Sequence, residues 1–412
     1  MTSVEQAAIT YLQRPQSIRD RTRQLFDLAQ ADQLEHFICD LSKLDQVARY
    51  VVETTQQLYP SFDVPFHSRW RHFGEARLSP PLVLSAEEEI TDTERKACAK
   101  AQLDLAIVSV LLDAGAGSQW RYHDTATNEK LARSEGLAVA SLRAFEQGCF
   151  SSDPVSPYQV DVRSLQHLSE SDLIKAFQVS DDNPIVGLSG RLMLLRQLGN
   201  ALADQPERFG SSAARPGNLL DYLIKRYGYA VDAGNLLTEV LESLGSIWPG
   251  RAAIARTNLG DVWSHPALPK IGPGTDLVPF HKLSQWLTYS LVEPLAVAGV
   301  TVINLDALTG LAEYRNGGLC VDLGLIVPKH SSVSSQAHLP GSPVIVEWRA
   351  LTVVMLDRIG ERVRHLLGKS ADDLPLIKVL EGGTWAAGRR IAKQLRPAGI
   401  PPIPIQSDGT VF

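Results

Sequence analysis

The sequence predicts a mostly α, multi-helix globular fold with few or no strands, and three observations carry that expectation. Apolar residues recur one helical turn apart along most of the chain, as in Leu103, Ile107, Val110 and Leu111. Clean period-2 alternation is nearly absent, and residues 300–303 (Val-Thr-Val-Ile) are the best strand candidate. Helix punctuation is frequent. Ser85-x-x-Glu88 and Thr91-x-x-Glu94 read as capping boxes, and Ala-Gly-Ala-Gly at 114–117 as a stop.

In chain order, residues 17–30 and 34–58 read as two amphipathic helices, the second ending near Pro60. The basic, Pro-containing stretch 65–85 then marks a boundary. It sets an N-terminal helical region, 1–85, against a main helical domain, 86–412, and the two can also form one continuous domain. A long helix runs to about Asp113. Further helices are readable near 127–147, 171–179, 188–204, 215–227, 235–246, 280–298 and 303–315. Residues 328–343 are Ser/Pro-rich and unperiodic, and so predict a surface loop or lid. A long helix to about Leu367 and a pair around Gly382-Gly383 follow, then an extended, proline-locked tail. No internal repeat is evident.

Composition narrows the function classes. The 412 residues are 44% hydrophobic and 21% charged, with a formal net charge of -6. That balance fits a soluble globular protein and argues against a partner that is nucleic acid or an anionic membrane. A local basic pocket for a small phosphorylated ligand remains compatible with it. Cys39, Cys98, Cys149 and Cys320 are scattered without CxxC or Cys/His spacing, so neither a metal site nor a disulfide framework is expected. The first residues lack a basic-then-apolar leader, and the longest apolar run, 105–112, is far too short to span a membrane. The expectation is a cytoplasmic protein.

The densest chemistry lies in 303–326, INLDALTGLAEYRNGGLCVDLGLI. Read as a helix, it buries Leu305, Leu308, Leu311 and Ala312 and presents Asp306, Thr309, Gly310 and Glu313 on the other face. Tyr314, Arg315 and Asn316 crowd the end before Gly317-Gly318. Two carboxylates, a phenol and a guanidinium can build a site; a solvated helix face running into a glycine cap has the same pattern. In HSRWRHF, the arginines Arg69 and Arg71, with His67, His72, Trp70 and Phe73, suit phosphate or carboxylate, or else a basic loop paired with local acids. The stretch 247–266 offers Arg251, Arg256, Asp261, Trp263 and His265; an aspartate against apolar rings suits acid catalysis, although a cap or an arginine pair is its commoner fate. His281, Lys282, Gln285 and Tyr289 share a helical face, and Asp113 gathers Trp120, Arg121 and Tyr122 nearby.

No P-loop, GxSxG elbow, HExxH or dinucleotide fingerprint is present, which disfavours ATPases, α/β-hydrolases, metalloproteases and Rossmann enzymes. No cofactor and no metal are expected.

Several long motifs resemble one family. FHSRWRHF, EGLAVASLRAFEQGCFSSDP, FQVSDDNPIVGLSGRLMLLRQLG, WPGR, GDVWSHP, VPFHKLSQWLTYSLVEPL, LTGLAEYRNGGLCVDLG and the terminal SDGTVF are similar to the uracil catabolism protein 4 family, over essentially the whole chain. A fainter resemblance links four segments to the queuosine-salvage nucleotide N-glycosidases, helical proteins related in shape to DNA glycosylases. These are the helix ending in Glu146-Gln147-Gly148, the FQVSDDNPIVGLSGRLMLL segment, GDVW and LTGLAEYR. That family has aspartate where this chain has Glu313, and Pro-Gln where it has Asn316-Gly317, which implies a different ligand.

Together the resemblances imply an N-glycosidase. If uracil's ring is opened while still attached to ribose, an enzyme must cut the N–C1′ bond of the ribosylurea, carried as its 5′-phosphate, to release urea. Asp261 and Glu313 are the expected catalytic carboxylates, one ionised and one donating a proton. Tyr314, Arg315, Asp306, Trp263, Trp120, His67, Arg69, Arg71, Lys282 and Arg251 are the expected substrate-binding residues. The partner is a ribosyl or ribose-phosphate small molecule, with a homo-oligomer left open. An amidohydrolase acting on the ureido group, or a non-catalytic scaffold of uracil degradation, are the alternative readings. Gly382-Gly383 between helices gives only a faint echo of a DNA-binding hairpin.

Overall fold

The structure is a computed structural model that describes residues 1–74, 78, 82–84, 90–113 and 115–406. It is mostly α, with the described strands joined only in two-stranded pairs. The chain divides into two compact units, each discontinuous in sequence. One takes the described residues of Met1–His67, Gly250–Gln285 and Asn304–Ser407, and the other those of Ser68–Pro249 and Trp286–Ile303. Among the described residues no helix is long and apolar enough to cross a membrane.

In the first unit the long helix Pro343–Leu367 packs on Pro15–Gln30 and Leu44–Leu58. Proline at its first position needs no intrahelical N–H partner, and Gly368, at φ 63°, ends it in the left-handed conformation. Ile345, Leu351, Met355, Leu356 and Ile359 are fully buried, each side chain worth about 1.5–3 kcal/mol of transfer free energy. Tyr314–Asp322 lies against Trp385–Leu395. A Cβ at Gly388 would overlap the carbonyl oxygen of Arg315, so glycine sets how closely these helices approach. Arg396 pairs with Asp322 at the other ends of the two helices, at 2.5 Å, so they run parallel. Alanine in a helix interior usually gains up to about 1 kcal/mol over glycine, but overpacking costs about 1–3 kcal/mol. Gly388→Ala is therefore expected to lower the urea midpoint; an unchanged or raised midpoint would show that the helices yield freely.

Several expected helices begin or end elsewhere. Residues 34–58 are not one helix: Phe37–Cys39 is a strand paired antiparallel with Ile326–Pro328, and the helix starts only at Leu44 after a turn capped by Asp40. The expected helix over 303–315 is absent. Asn304 takes φ 55°, Leu305–Ala307 forms one tight turn, and no further helix begins before Tyr314. The glycines Gly317 and Gly318 lie inside that helix rather than capping one; a Cβ at 317 would meet the Trp348 ring at 2.8 Å. The segment 328–343 contains the short helix Ser331–Ser335. Gly382 and Gly383 sit in a buried π-helical turn, Leu380–Thr384, where a Cβ at 382 would meet Thr55 at 3.0 Å; they do not form a hairpin between helices.

The second unit is built on Asp92–Leu111, Arg133–Glu146, Leu188–Ala203, Leu219–Tyr227 and Ala233–Leu244. Thr91 and Glu94 close the expected capping box at the first of these. The 300–303 expectation is met by Thr301–Ile303, which pairs in parallel with Ala230–Asp232. The Ser85/Glu88 box, Ala114 of the glycine stop and the terminal SDGTVF lie outside the described residues.

Candidate active site

Asp261 stands at the mouth of an antiparallel hairpin, Val262–Ser264 with Leu277–Pro279. Its carbonyl accepts from the N–H groups of Phe280 and His281, at 3.0 and 3.3 Å, which brings the following helix start beside its side chain. His281 turns the chain with φ 48°, and its Nε2 is 2.8 Å from the Leu12 carbonyl oxygen. At Oδ1 the carboxylate accepts from Arg349 Nη1 at 2.8 Å and Trp263 Nε1 at 2.7 Å. At Oδ2 it accepts from Arg349 Nη2 at 2.7 Å and from the N–H of Lys282 at 3.0 Å. A carboxylate offers about four lone-pair positions, and here all are taken. Burial opposes ionisation, but the bidentate Arg349 guanidinium and the other donors outweigh it and hold the group well below the usual carboxylate range.

Glu313 is the cap of the helix Tyr314–Asp322. Oε2 accepts from the N–H of Arg315 at 2.7 Å and Oε1 from that of Asn316 at 2.6 Å. The residue is only 8% exposed. Burial pushes its carboxyl above the ordinary glutamate value, against the two N–H groups and the positive charges of Lys282 and Arg315. Each oxygen keeps one lone pair outside these bonds, so Glu313 has room for a proton where Asp261 has none.

Arg349 links the two carboxylates. Its Nη atoms hold Asp261, its Nε donates to the Ala312 carbonyl at 3.2 Å, next to Glu313, and its guanidinium stacks 4.1 Å from the Phe280 ring centroid. Gln285 braces the same segment, accepting from the Thr309 N–H and donating to its hydroxyl, both at 2.8 Å. The structure thus gathers Asp261, Trp263, Lys282 and Glu313 in the first unit around an arginine that the sequence reading passed over. Its only signal was a basic residue inside the apolar run PVIVEWRALTVVML.

The other expected residues fall as follows. Arg251 stacks on the Trp263 ring at 4.9 Å and Arg315 on Tyr314 at 4.9 Å, while Arg315 Nη1 donates to the Gly399 carbonyl at 2.7 Å. Asp306 is bound to Arg364 at 2.9 Å and to the N–H of Leu376 at 2.7 Å, and does not share a helical face with Glu313. His67 meets Glu381, 2.6 Å away and absent from the expected set. In the second unit Arg69 is fully buried, paired with Asp113 at 3.1 Å and Ser109 Oγ at 2.7 Å, and Arg71 pairs with Glu293 at 2.6 Å. Trp120 is fully buried and donates to the Phe177 carbonyl at 2.9 Å, as a core residue rather than a pocket wall. Tyr289, expected beside Lys282, is likewise fully buried in the second unit. Among the described residues no group of three His, Cys, Asp or Glu side chains is arranged to hold a metal.

A family described as "Protein of unknown function (DUF1688)" matches residues 11–412. The chain is similar to Protein urg3 of Schizosaccharomyces pombe, 41% identical over 409 residues that cover 96% of this chain and 97% of that protein. It is also similar to Uracil catabolism protein 4 of Lachancea kluyveri, 38% identical over 439 residues that cover 98% and 99% of the two chains.

Proposed function

The chain belongs to the DUF1688 family, and from that membership, the name of its Lachancea kluyveri relative and the geometry of Glu313 we propose that it acts in uracil breakdown as an N-glycosidase. The substrate in this reading is N-ribosylurea carried as its 5′-phosphate, and the products are urea and ribose 5-phosphate. One observation carries the assignment of roles: Asp261 has every lone pair engaged while the buried Glu313 keeps one free on each oxygen.

Cleavage of an N-ribosidic bond passes through an oxocarbenium-like transition state, with the leaving nitrogen taking a proton. Glu313, with its proton affinity raised by burial, gives that proton to the ureido nitrogen as the C1′–N electron pair moves onto it. It then remains as the anion beside the positive sugar. Water adds to C1′ and gives up a proton to a base. Asp261 is a positioning residue, fixing Arg349, Trp263 and the first turn after Lys282. Lys282 and Arg251 are the cations for the phosphate, and Tyr314 and Trp263 supply ring surface for the sugar. Asp306, Arg69 and Arg71 are engaged elsewhere.

The test is direct. Metal-stripped protein is incubated with N-ribosylurea and with its 5′-phosphate, and urea, ammonia and sugar are quantified. Equal amounts of urea and ribose 5-phosphate are expected. Ammonia without intact urea would replace this reading with an amidohydrolase, and no turnover of either compound would remove it.

A further inference from the structure

A second carboxylate in the first unit is set against an imidazole. His67 Nδ1 lies 2.6 Å from Glu381 Oε2, with 5% and 11% of the two side chains exposed. Glu381 belongs to the π-helical turn Leu380–Thr384, an irregularity that recurs at functional sites. The Tyr59 hydroxyl donates to its other oxygen at 3.4 Å. The His67 ring leans on Trp385 with centroids 5.8 Å apart, and its backbone N–H donates to the Ile377 carbonyl at 3.2 Å. The imidazole is therefore held at its backbone, its face and Nδ1, while no described residue bonds to Nε2. A carboxylate on Nδ1 keeps the proton there and leaves the Nε2 lone pair for a base's work.

The place of this pair in the unit matters as much as its geometry. Because Tyr314–Asp322 and Trp385–Leu395 run parallel, with Gly388 on Arg315 and Arg396 on Asp322, their starts lie at the same end. Glu313 caps one start, and the turn carrying Glu381 leads into the other. Asp306 ties the segment before Glu313 to the N–H of Leu376, just ahead of that turn.

We propose that His67, oriented by Glu381, is the base that takes the proton from the attacking water. This rests on the N-glycosidase reading. In the step, the water oxygen bonds to C1′, the C1′–N pair leaves on the ureido nitrogen, that nitrogen takes the Glu313 proton, and the water proton moves to His67 Nε2. Transfer of this proton through solvent to Glu313 restores both groups. The charged or titratable groups around the imidazole within its unit are Glu381, Tyr59 behind it, Lys378 over the Phe66 ring and Arg389 over the Trp385 ring.

The experiment compares full-length wild type with His67→Gln and Glu381→Gln, following kcat and KM for urea release together with thermal midpoints. His67→Gln should lower kcat by roughly 10²-fold or more with little change in KM. Glu381→Gln removes the carboxylate that holds the proton on Nδ1, and should lower kcat while KM and the thermal midpoint stay near wild type, a split that a merely structural pair would not give. If wild type releases urea and His67→Gln keeps its rate, His67 is not the base and the N-glycosidase reading stands. If wild type releases no urea, both fall. Should His67→Gln fail to fold, an unchanged kcat in Glu381→Gln overturns the inference.

Discussion

Replacing Glu313 with glutamine is expected to lower turnover of N-ribosylurea 5′-phosphate by about 10²–10⁴-fold, the range over which one acid–base group contributes. The competing explanation is that Glu313 only caps its helix, since both oxygens bind backbone N–H groups. Glu313→Ser separates the two. Serine is a strong N-cap, so stability should stay within about 1 kcal/mol of wild type, while turnover falls as far as in Glu313→Gln. A serine variant that retains most activity would assign Glu313 to structure alone. The pH dependence gives a second handle. The native carboxyl is raised by burial, so its contribution to stability is fully present below the ordinary value of about 4.3 and is lost as pH rises through the native one. Urea melts at increasing pH should therefore show Glu313→Ser gaining on wild type above that ordinary value. A constant difference would mean that the carboxyl titrates alike in the folded and unfolded chains.

Residues 303–326 stand out in the sequence by composition, but their conformation was not legible there. Leu308, Leu311 and Ala312 are buried at helical spacing, yet they belong to an irregular segment fastened by Gln285 and Arg349. Periodicity reports which side chains face the core and leaves the backbone open when the partners are distant in sequence. The local signs of a helix start at Tyr314 were present: an acidic cap residue, and Thr309-Gly310 as a break upstream. Two glycines drew the opposite reading, since a pair after a helical pattern usually marks its end, whereas Gly317 is small to admit Trp348. Arg349 and Glu381 escaped for one reason. Each is a charge in a largely apolar helical stretch, and its partner, Asp261 or His67, lies far away in the chain. The helix-rich character was easier to read, because helices such as Leu188–Ala203 and Pro343–Leu367 announce themselves through the local spacing of apolar residues.

Arg349→Met should destabilise the protein by about 3–5 kcal/mol, the cost of stranding one member of a buried ion pair. Methionine fills much of the arginine volume, so loss of packing contributes little to this difference. What it removes is the charge on which Asp261 depends, at a site where the arginine is 2% and the aspartate 15% exposed. Asp261→Asn should cost a similar amount, because it leaves a buried guanidinium facing an amide that can also meet only one of the Trp263 and Lys282 donors. The double variant Asp261→Asn/Arg349→Met should be less destabilised than the sum of the singles, since neither charge is then stranded. The direction of the pH dependence makes the cause specific. Asp261 is held below its ordinary value, so its stabilisation is present above about pH 3.9 and is lost as pH falls from there toward the native value. Without Arg349 only the Lys282 N–H and the Trp263 indole still oppose burial, so the stability this group loses as pH falls should shrink. Denaturant midpoints measured from neutral pH down to about pH 3 would show it. Equal slopes in wild type and Arg349→Met would mean that this arginine does not set the charge of Asp261. Ala312 loses its Nε anchor in the same variant, so turnover should fall through misplacement of Glu313 even where the fold survives.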